Sequence, residues 1–188
     1  FLHPRLTDLC DPFLLLGMEA AVTRIRRAVA GKENILLYGD YDVDGVSSVV
    51  ILSKMLELMG HTPAFHVPDR LKDGYGMQVS VVEQAARDGV NLIISVDTGI
   101  RAIEAVKAAR EVGVDVIITD HHLPEEELPP ACAILNPNQP ECRYPNKNLC
   151  GAGVTFKLIQ ALMDRENWPP DRIVRYSDSF LVMVALAT

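Results

Sequence analysis

Short apolar runs at residues 35–38, 64–67, 92–96, 116–119 and 132–135 alternate with helix-patterned segments at 46–59, 78–88, 100–112 and 154–163. This alternation is the strongest constraint on what the chain can fold into. Runs of four or five residues rich in Ile, Leu and Val, bounded by Gly, Asn and Asp, are strand-sized rather than helix-sized. They lack polar alternation, as strands covered on both faces do. Strand, helix, strand, helix gives βαβ units and a parallel sheet. The expectation is an α/β fold with a parallel five-stranded sheet and helices on both faces. In the segment 46–59, Val46, Val49, Val50, Leu56 and Met59 read as one apolar stripe. Residues 1–30 read as an N-terminal arm followed by a helix, with apolar residues at helical spacing from Met18 to Ala30 and Gly31 as the stop.

Such sheets bind ligands beyond the carboxyl ends of their strands, so the residues there matter most. After the first run stand Asp40, Asp42 and Asp44, in "YGDYDVDGV". After "NLIISV" stands Asp97, and after "VDVIIT" stand Asp120, His121 and His122. Each group lies on a turn feeding a helix, and Gly45 and Gly99 permit tight geometry there. An Asp before a helix is most often only a cap. Capping uses one oxygen per helix, however, and explains neither alternate carboxylates nor a following Asp-His-His. Carboxylates crowded at one edge repel one another, and divalent cations relieve the repulsion. Mixed carboxylate and imidazole donors suit Mn²⁺, with Mg²⁺ as the harder alternative. The set is large enough for two ions, which at about 3.5–4 Å apart acidify a shared water and clamp a phosphate. Hydrolysis of a phosphoester or phosphoanhydride is the chemistry expected.

The same aspartates also imitate the start of an EF-hand calcium loop, with Asp40, Asp42 and Asp44 alternating ahead of Gly45. That loop needs a bidentate Glu at its twelfth position, which here is Ile51, and the next carboxylate is Glu57. It also follows a helix, whereas the residues ahead of Asp40 are strand formers. The calcium loop is set aside.

Composition narrows the class. With 188 residues, 48% hydrophobic and 23% charged, the chain can bury one sizeable core. No apolar run is long enough for a membrane helix, and no signal peptide is visible. A net charge of −7 argues against a nucleic-acid binder that works by bulk charge. It leaves room for one whose phosphate contacts run through bound cations. Cys10, Cys132, Cys142 and Cys150 contain no C-x-x-C pair, which argues against a structural zinc. They read as scattered reduced thiols of a cytoplasmic protein.

Taken in order, these residues resemble the DHH phosphoesterase superfamily, named for a triplet that Asp120, His121 and His122 match. Within it the chain looks like the bacterial RecJ single-strand-specific exonucleases. "GDYDVDG", "SVDTGI" and "ITDHHLP" are similar to the metal motifs of that family, and "VPDRLKDGYG", "ILNPNQP" and "LCGAGVTFKL" add to the likeness. The resemblance implies a DHH catalytic domain over residues 31–188. It implies Asp42, Asp44, Asp97 and His121 as metal ligands, Asp97 as the bridge between two Mn²⁺ or Mg²⁺ ions, and Asp40 at or just behind the site. Asp120 and His122 would be catalytic residues that orient ligands or hold substrate. Arg70 could grip a phosphate bidentately. The backbone N–H groups of Gly151 and Gly153 could meet an anion at a helix N-terminus, or these glycines could serve only close packing. The implied activity is 5′→3′ hydrolysis of single-stranded DNA in repair and recombination, with single-strand-binding or helicase proteins as partners and no membrane. The family has a fourth motif, with a further aspartate beyond a helix like "SFLVMVALAT". The chain is therefore expected to be a catalytic core cut short of that motif, weak or inactive alone.

Two other functions are weighed. One is a DHH-family hydrolase of short oligonucleotides or small phosphates; "GDYDVDG" argues against the pyrophosphatase branch, whose first motif begins with His. The other is a non-catalytic, Cdc45-like replication scaffold. Those relatives have lost metal ligands, whereas the first three motifs here are intact.

Overall fold

The computed structural model describes residues 6–69 and 76–188. Arg70 and the rest of "RLKDGY" lie outside them, so the expectation for Arg70 has no structural counterpart here. Two 3-10 turns, Leu6–Asp8 and Pro12–Leu14, lead into helix α1 (Met18–Gly31). The alternation follows: β1 (Ile35–Tyr38), α2 (Val43–Leu58), β2 (Ala64–His66), α3 (Val79–Arg87), β3 (Leu92–Val96), α4 (Ile103–Glu111), β4 (Asp115–Thr119) and β5 (Ala133–Leu135). Helices α5 (Gly151–Arg165) and α6 (Pro170–Ala187) complete it. Each strand lies within one residue of where the apolar runs put it.

The five strands are all parallel, in the order β2-β1-β3-β4-β5. Successive side chains along a strand face opposite sides, and both sides are covered. Leu37, Ile94, Val96 and Ile117 join the core beneath α1, α2, α5 and α6. Leu36, Tyr38, Ile93, Val116 and Ile118 join the core beneath α3 and α4. This is why β1, β3 and β4 read as unbroken apolar runs, whereas the edge strand β2 is largely exposed, Phe65 at 68%.

Two expectations about helices need correction. The apolar stripe of the second helix includes Val46 and Val50, and both are exposed. Helix α2 packs on the sheet and also against α5 and α6, so its buried surface is broad. It runs through Ser47, Ser48, Ile51, Leu52 and Met55. An apolar pattern cannot see buried serines; Ser48 is accommodated because its Oγ donates to Asp44 O at 2.7 Å. The fifth helix starts at Gly151, three residues before the reading at 154, so the two glycines lie inside its first turn.

The strand order positions the site. From β1 the chain crosses to β2 on one side, then returns past β1 to β3 on the other. The direction of winding reverses between β1 and β3, and in open α/β sheets the crevice for ligands opens at that point, beyond the carboxyl ends. The aspartates of β1 and β3 flank it.

Candidate metal centre

The loop after β1 is shaped by hydrogen bonds from its own carboxylates. Asp40 is buried, and its Oδ1 accepts from Tyr41 N at 2.7 Å. Asp42 is the N-cap of α2: its Oδ1 accepts from Gly45 N at 2.9 Å. Capping thus uses one oxygen and leaves the other for the crevice. Gly45 lies against the loop it follows. A Cβ there would come within 2.5–2.7 Å of Asp40 backbone atoms, so any side chain would push Asp40 and the helix apart.

Asp97 ends β3 under strain. Its φ is +60°, a left-handed conformation few non-glycine residues adopt, although Asp tolerates it better than most. Such outliers persist where the surroundings enforce them. Here Asp97 N donates to Thr119 O at 2.9 Å, and the residue is 1% exposed. Its Oδ1 is buried and accepts no hydrogen bond. His121 Nε2 lies 3.2 Å from that oxygen, within ion-pairing distance but outside hydrogen-bond geometry.

Asp120, at the end of β4, is a hub. Its Oδ1 accepts from His121 N (2.7 Å), His122 N (3.1 Å) and His122 Nδ1 (2.7 Å), and its Oδ2 accepts from Ile100 N (2.9 Å). Burial alone would raise its pKa, but the His122 ring and the N–H groups of Ile100 and His122 outweigh that and hold it below the ordinary value. The carboxylate of Asp120 on Nδ1 orients the His122 ring, an arrangement typical of metal-binding histidines. Asp120 also ties the loop after β4 to the one after β3.

The N-terminus of α5 meets the same crevice. Gly151 N donates to Asp44 Oδ2 at 2.7 Å, and Ala152 N to Asp44 Oδ1 at 2.6 Å. Gly153 N donates to Cys150 Sγ at 3.3 Å. In this structure the Gly151 N–H, with that of Ala152, holds a carboxylate of the chain itself, and the Gly153 N–H is engaged by Cys150. The helix dipole favours a negative group at that place. Gly151 is also obligatory for space, since a Cβ there would lie 2.3 Å from Asp97 Oδ1 and 2.6 Å from its Cβ and Cγ. Gly153 has no such constraint; its nearest neighbours would be Leu149 Cδ2 at 3.4 Å and Leu149 Cβ at 3.5 Å.

These elements bring the predicted donors together. Asp97, His121 and His122 offer ligand atoms within 4.8 Å of one another, and so do Asp40, Asp42 and Asp97. Asp97 belongs to both groups. Asp44 joins through His121, with Nε2 to Oδ2 at 3.7 Å. Sequence reasoning gave no role to Asn136 and Asn138, although it quoted "ILNPNQP". Asn136 Nδ2 donates to His122 O at 2.8 Å and Asn138 Nδ2 to His121 O at 2.7 Å. The available signal was an Asn-Pro-Asn just past β5, at the same sheet edge as the aspartates.

A divalent cation fits this donor set. Desolvation pushes the Asp97 pKa up to about 6, the carboxylates of Asp44 and Asp42 push the same way, and His121 opposes them. Desolvation likewise raises Asp40. A buried carboxyl oxygen without a partner, amid like charges and an imidazole, is satisfied by a cation. The proton on Asp97 competes with that cation. The folded metal-free chain keeps this proton to a higher pH than the unfolded chain, so Asp97 costs stability as pH rises from about 3.8 to about 6. Mn²⁺ is therefore expected to raise the unfolding free energy at pH 7, by about 2.7 kcal/mol at a hundredfold excess over Kd, and to have little effect at pH 4. Equal stabilisation at both pH values, measured by urea titration with and without Mn²⁺, would place the ion elsewhere.

Fold and donors together define a class: a parallel α/β domain with a carboxylate–imidazole donor cluster at its topological switch point. The chain belongs to the DHH family; the family described as DHH family, N-terminal domain, matches residues 34–188. It is 47% identical over 163 residues to the single-stranded-DNA-specific exonuclease RecJ of Bacillus subtilis (strain 168), covering 87% of this chain and 21% of that protein. A crystal structure of exonuclease RecJ bound to manganese superposes with a TM-score of 0.80 at 32% identity, covering 91% of this chain and 43% of that one. RecJ of Thermus thermophilus in complex with Mn²⁺ gives 0.74 at 29% identity, covering 90% of this chain and 24% of that one. The chain spans from 21% to 31% of the length of the curated RecJ relatives of Bacillus subtilis and Escherichia coli. Among the described residues, no helix is long and apolar enough to cross a membrane.

Proposed function

We propose that this domain is the metal-binding catalytic part of a 5′→3′ exonuclease that hydrolyses single-stranded DNA in Mn²⁺ or Mg²⁺. The carrying observation is Asp97, shared by two groups of donors at the switch point. In this reading Asp97, Asp40, Asp42, His121 and His122, with Asp44 beside them, would hold the ions, Asp97 being common to both groups of donors. Bound there, two divalent cations would supply an acidified water and offset charge on the scissile phosphate.

The remaining work belongs to the chain. The α5 N-terminus holds Asp44 by both oxygens, Asp120 sets the tautomer of His122, and the strained turn at Asp97 presents its free oxygen. Donors held this way need little rearrangement when the reaction centre forms. The RecJ names of the relatives and the manganese-bound RecJ structures support the substrate and the metal. A role in repair and recombination, a cytoplasmic location, and single-strand-binding or helicase partners belong to the same proposal. So does completion of the site by a further aspartate outside this chain.

The test uses single strands labelled at the 5′ or 3′ end and the matching duplex, with Mn²⁺, Mg²⁺ or chelator. It compares the 188-residue chain with any longer protein that carries it. Metal-dependent release of 5′-labelled mononucleotide from single strands is expected in the longer form. Equal cleavage of the duplex, or activity in chelator, would overturn the reading.

A further inference from the structure

We propose that Asn136 and Asn138, in the loop after β5, are positioning residues that fix the backbone of the His121–His122 dipeptide and so aim both imidazoles. The inference rests on the metal-site reading above. Its physical content is a complete account of the dipeptide's polar backbone. Both N–H groups donate to Asp120 Oδ1, at 2.7 and 3.1 Å. Both carbonyls accept from asparagine side chains, His121 O from Asn138 Nδ2 at 2.7 Å and His122 O from Asn136 Nδ2 at 2.8 Å. All of these polar groups are therefore held by side chains, from opposite directions. A loop dipeptide normally leaves several of them to water.

The clamp is itself rigid. Asn138 N donates to Asn136 Oδ1 at 2.8 Å, which locks the two asparagines to each other across Pro137. Gln139 Nε2 donates to Ile134 O at 3.0 Å and also reaches Asn136 O at 3.3 Å. Lys147 Nζ donates to Pro137 O and Cys142 O, both at 2.7 Å. Asn136 is fully buried. A buried amide costs free energy unless paired, and this one is paired to the carbonyl of a residue that faces the metal crevice. The bonds from the amides go to the backbone carbonyls rather than to the rings. They act by keeping the backbone from rotating, so His121 Nε2 stays 3.2 Å from Asp97 Oδ1. Partners behind a metal ligand typically change affinity by about 10- to 100-fold when removed.

The experiment uses Asn138→Ala, because Asn138 is partly exposed and its loss leaves the buried Asn136 in place. Asn146→Ala serves as control: it lies in the same loop, and its Oδ1 accepts only from Asn148 N at 3.0 Å. Two quantities are read on the 188-residue chain: hydrogen exchange at the His121 and His122 amides without metal, and Mn²⁺ affinity by calorimetry. Asn138→Ala is expected to speed exchange at those amides about tenfold and to weaken Mn²⁺ about tenfold, with the urea midpoint nearly unchanged. Asn146→Ala should change neither. Wild-type exchange at both amides in Asn138→Ala overturns the clamp, whatever the metal does. Faster exchange in a chain whose wild type binds no Mn²⁺ sustains the clamp and removes the metal reading instead. Matching changes in Asn146→Ala would reduce the role to general loop stiffness and overturn the proposal.

Discussion

Asp97→Asn is expected to abolish hydrolysis in the active protein and, without metal, to make the domain more stable. The two effects share one cause. Asp97 is buried, its Oδ1 accepts no hydrogen bond, and its pKa is pushed up to about 6. Keeping it ionised at pH 7 costs on the order of 3 kcal/mol, since each pKa unit is about 1.4 kcal/mol. An amide of the same shape removes that cost, and Asn also tolerates the left-handed φ. It removes the shared carboxylate as well. Loss of the bridge should lower kcat/KM by at least about 10³-fold, or about 4 kcal/mol of barrier, and Mn²⁺ should no longer raise the urea midpoint. Urea titrations of both forms at pH 7, with and without Mn²⁺, check the stability half. Activity within about tenfold of wild type would end the bridging role. A drop in metal-free stability would mean that Asp97 is paired in a way the geometry does not record.

Gly151→Ala should do comparable damage through space rather than charge. The added methyl would sit 2.3 Å from Asp97 Oδ1 and 2.6 Å from its Cβ and Cγ. Either Asp97 moves, and its strained turn with it, or the first turn of α5 lifts and its N–H groups leave Asp44. Both break the cluster. Overpacking of this kind costs about 1–3 kcal/mol of stability, and the displaced donors should lower Mn²⁺ affinity and activity at least about 100-fold, within the range for groups that orient metal ligands. Gly153→Ala is the comparison. Its methyl would meet only Leu149 and Cys150 Sγ at 3.4–3.6 Å, and alanine favours helix over glycine by up to about 1 kcal/mol. It should be neutral or slightly stabilising, with activity retained. If both variants behave alike in melting, Mn²⁺ calorimetry and nuclease assay, the close approach at Gly151 does not matter.

Much of the fold was readable because the central strands β1, β3 and β4, buried on both faces, leave a signal that needs no context. The five apolar runs matched the strands to within a residue, and the aspartates and histidines at their ends converge as the parallel arrangement requires. What escaped reading depends on contacts between distant segments. The apolar stripe of α2 was drawn through Val46 and Val50 because a hydrophobic pattern takes no account of Ser47 and Ser48, which are buried by α2's packing against the sheet, α5 and α6. The start of α5 was missed because glycine is a poor helix former. Here the first turn is bound by Asp44, 107 residues away for Gly151, a partner no local window contains. Asn136 and Asn138 were quoted without a role because an asparagine after a strand reads equally well as a turn residue.

The clamp on Asp44 has a consequence for how the domain comes into being. Residues 40–44 carry three carboxylates in five positions and are made before the segments that pack on them. Asp44 among them is seated by the backbone N–H groups of residues 151 and 152, and the carbonyls of His121 and His122 by the side chains of residues 138 and 136. The contacts of Asp44, which span more than a hundred residues, form late, because a long loop must close before they repay its entropy. A growing chain thus displays the acidic motif well before any ordered ion site can exist. The donors at the strand ends are brought into one arrangement only once α5 has docked, and a partly unfolded copy carries the acidic motif without that arrangement.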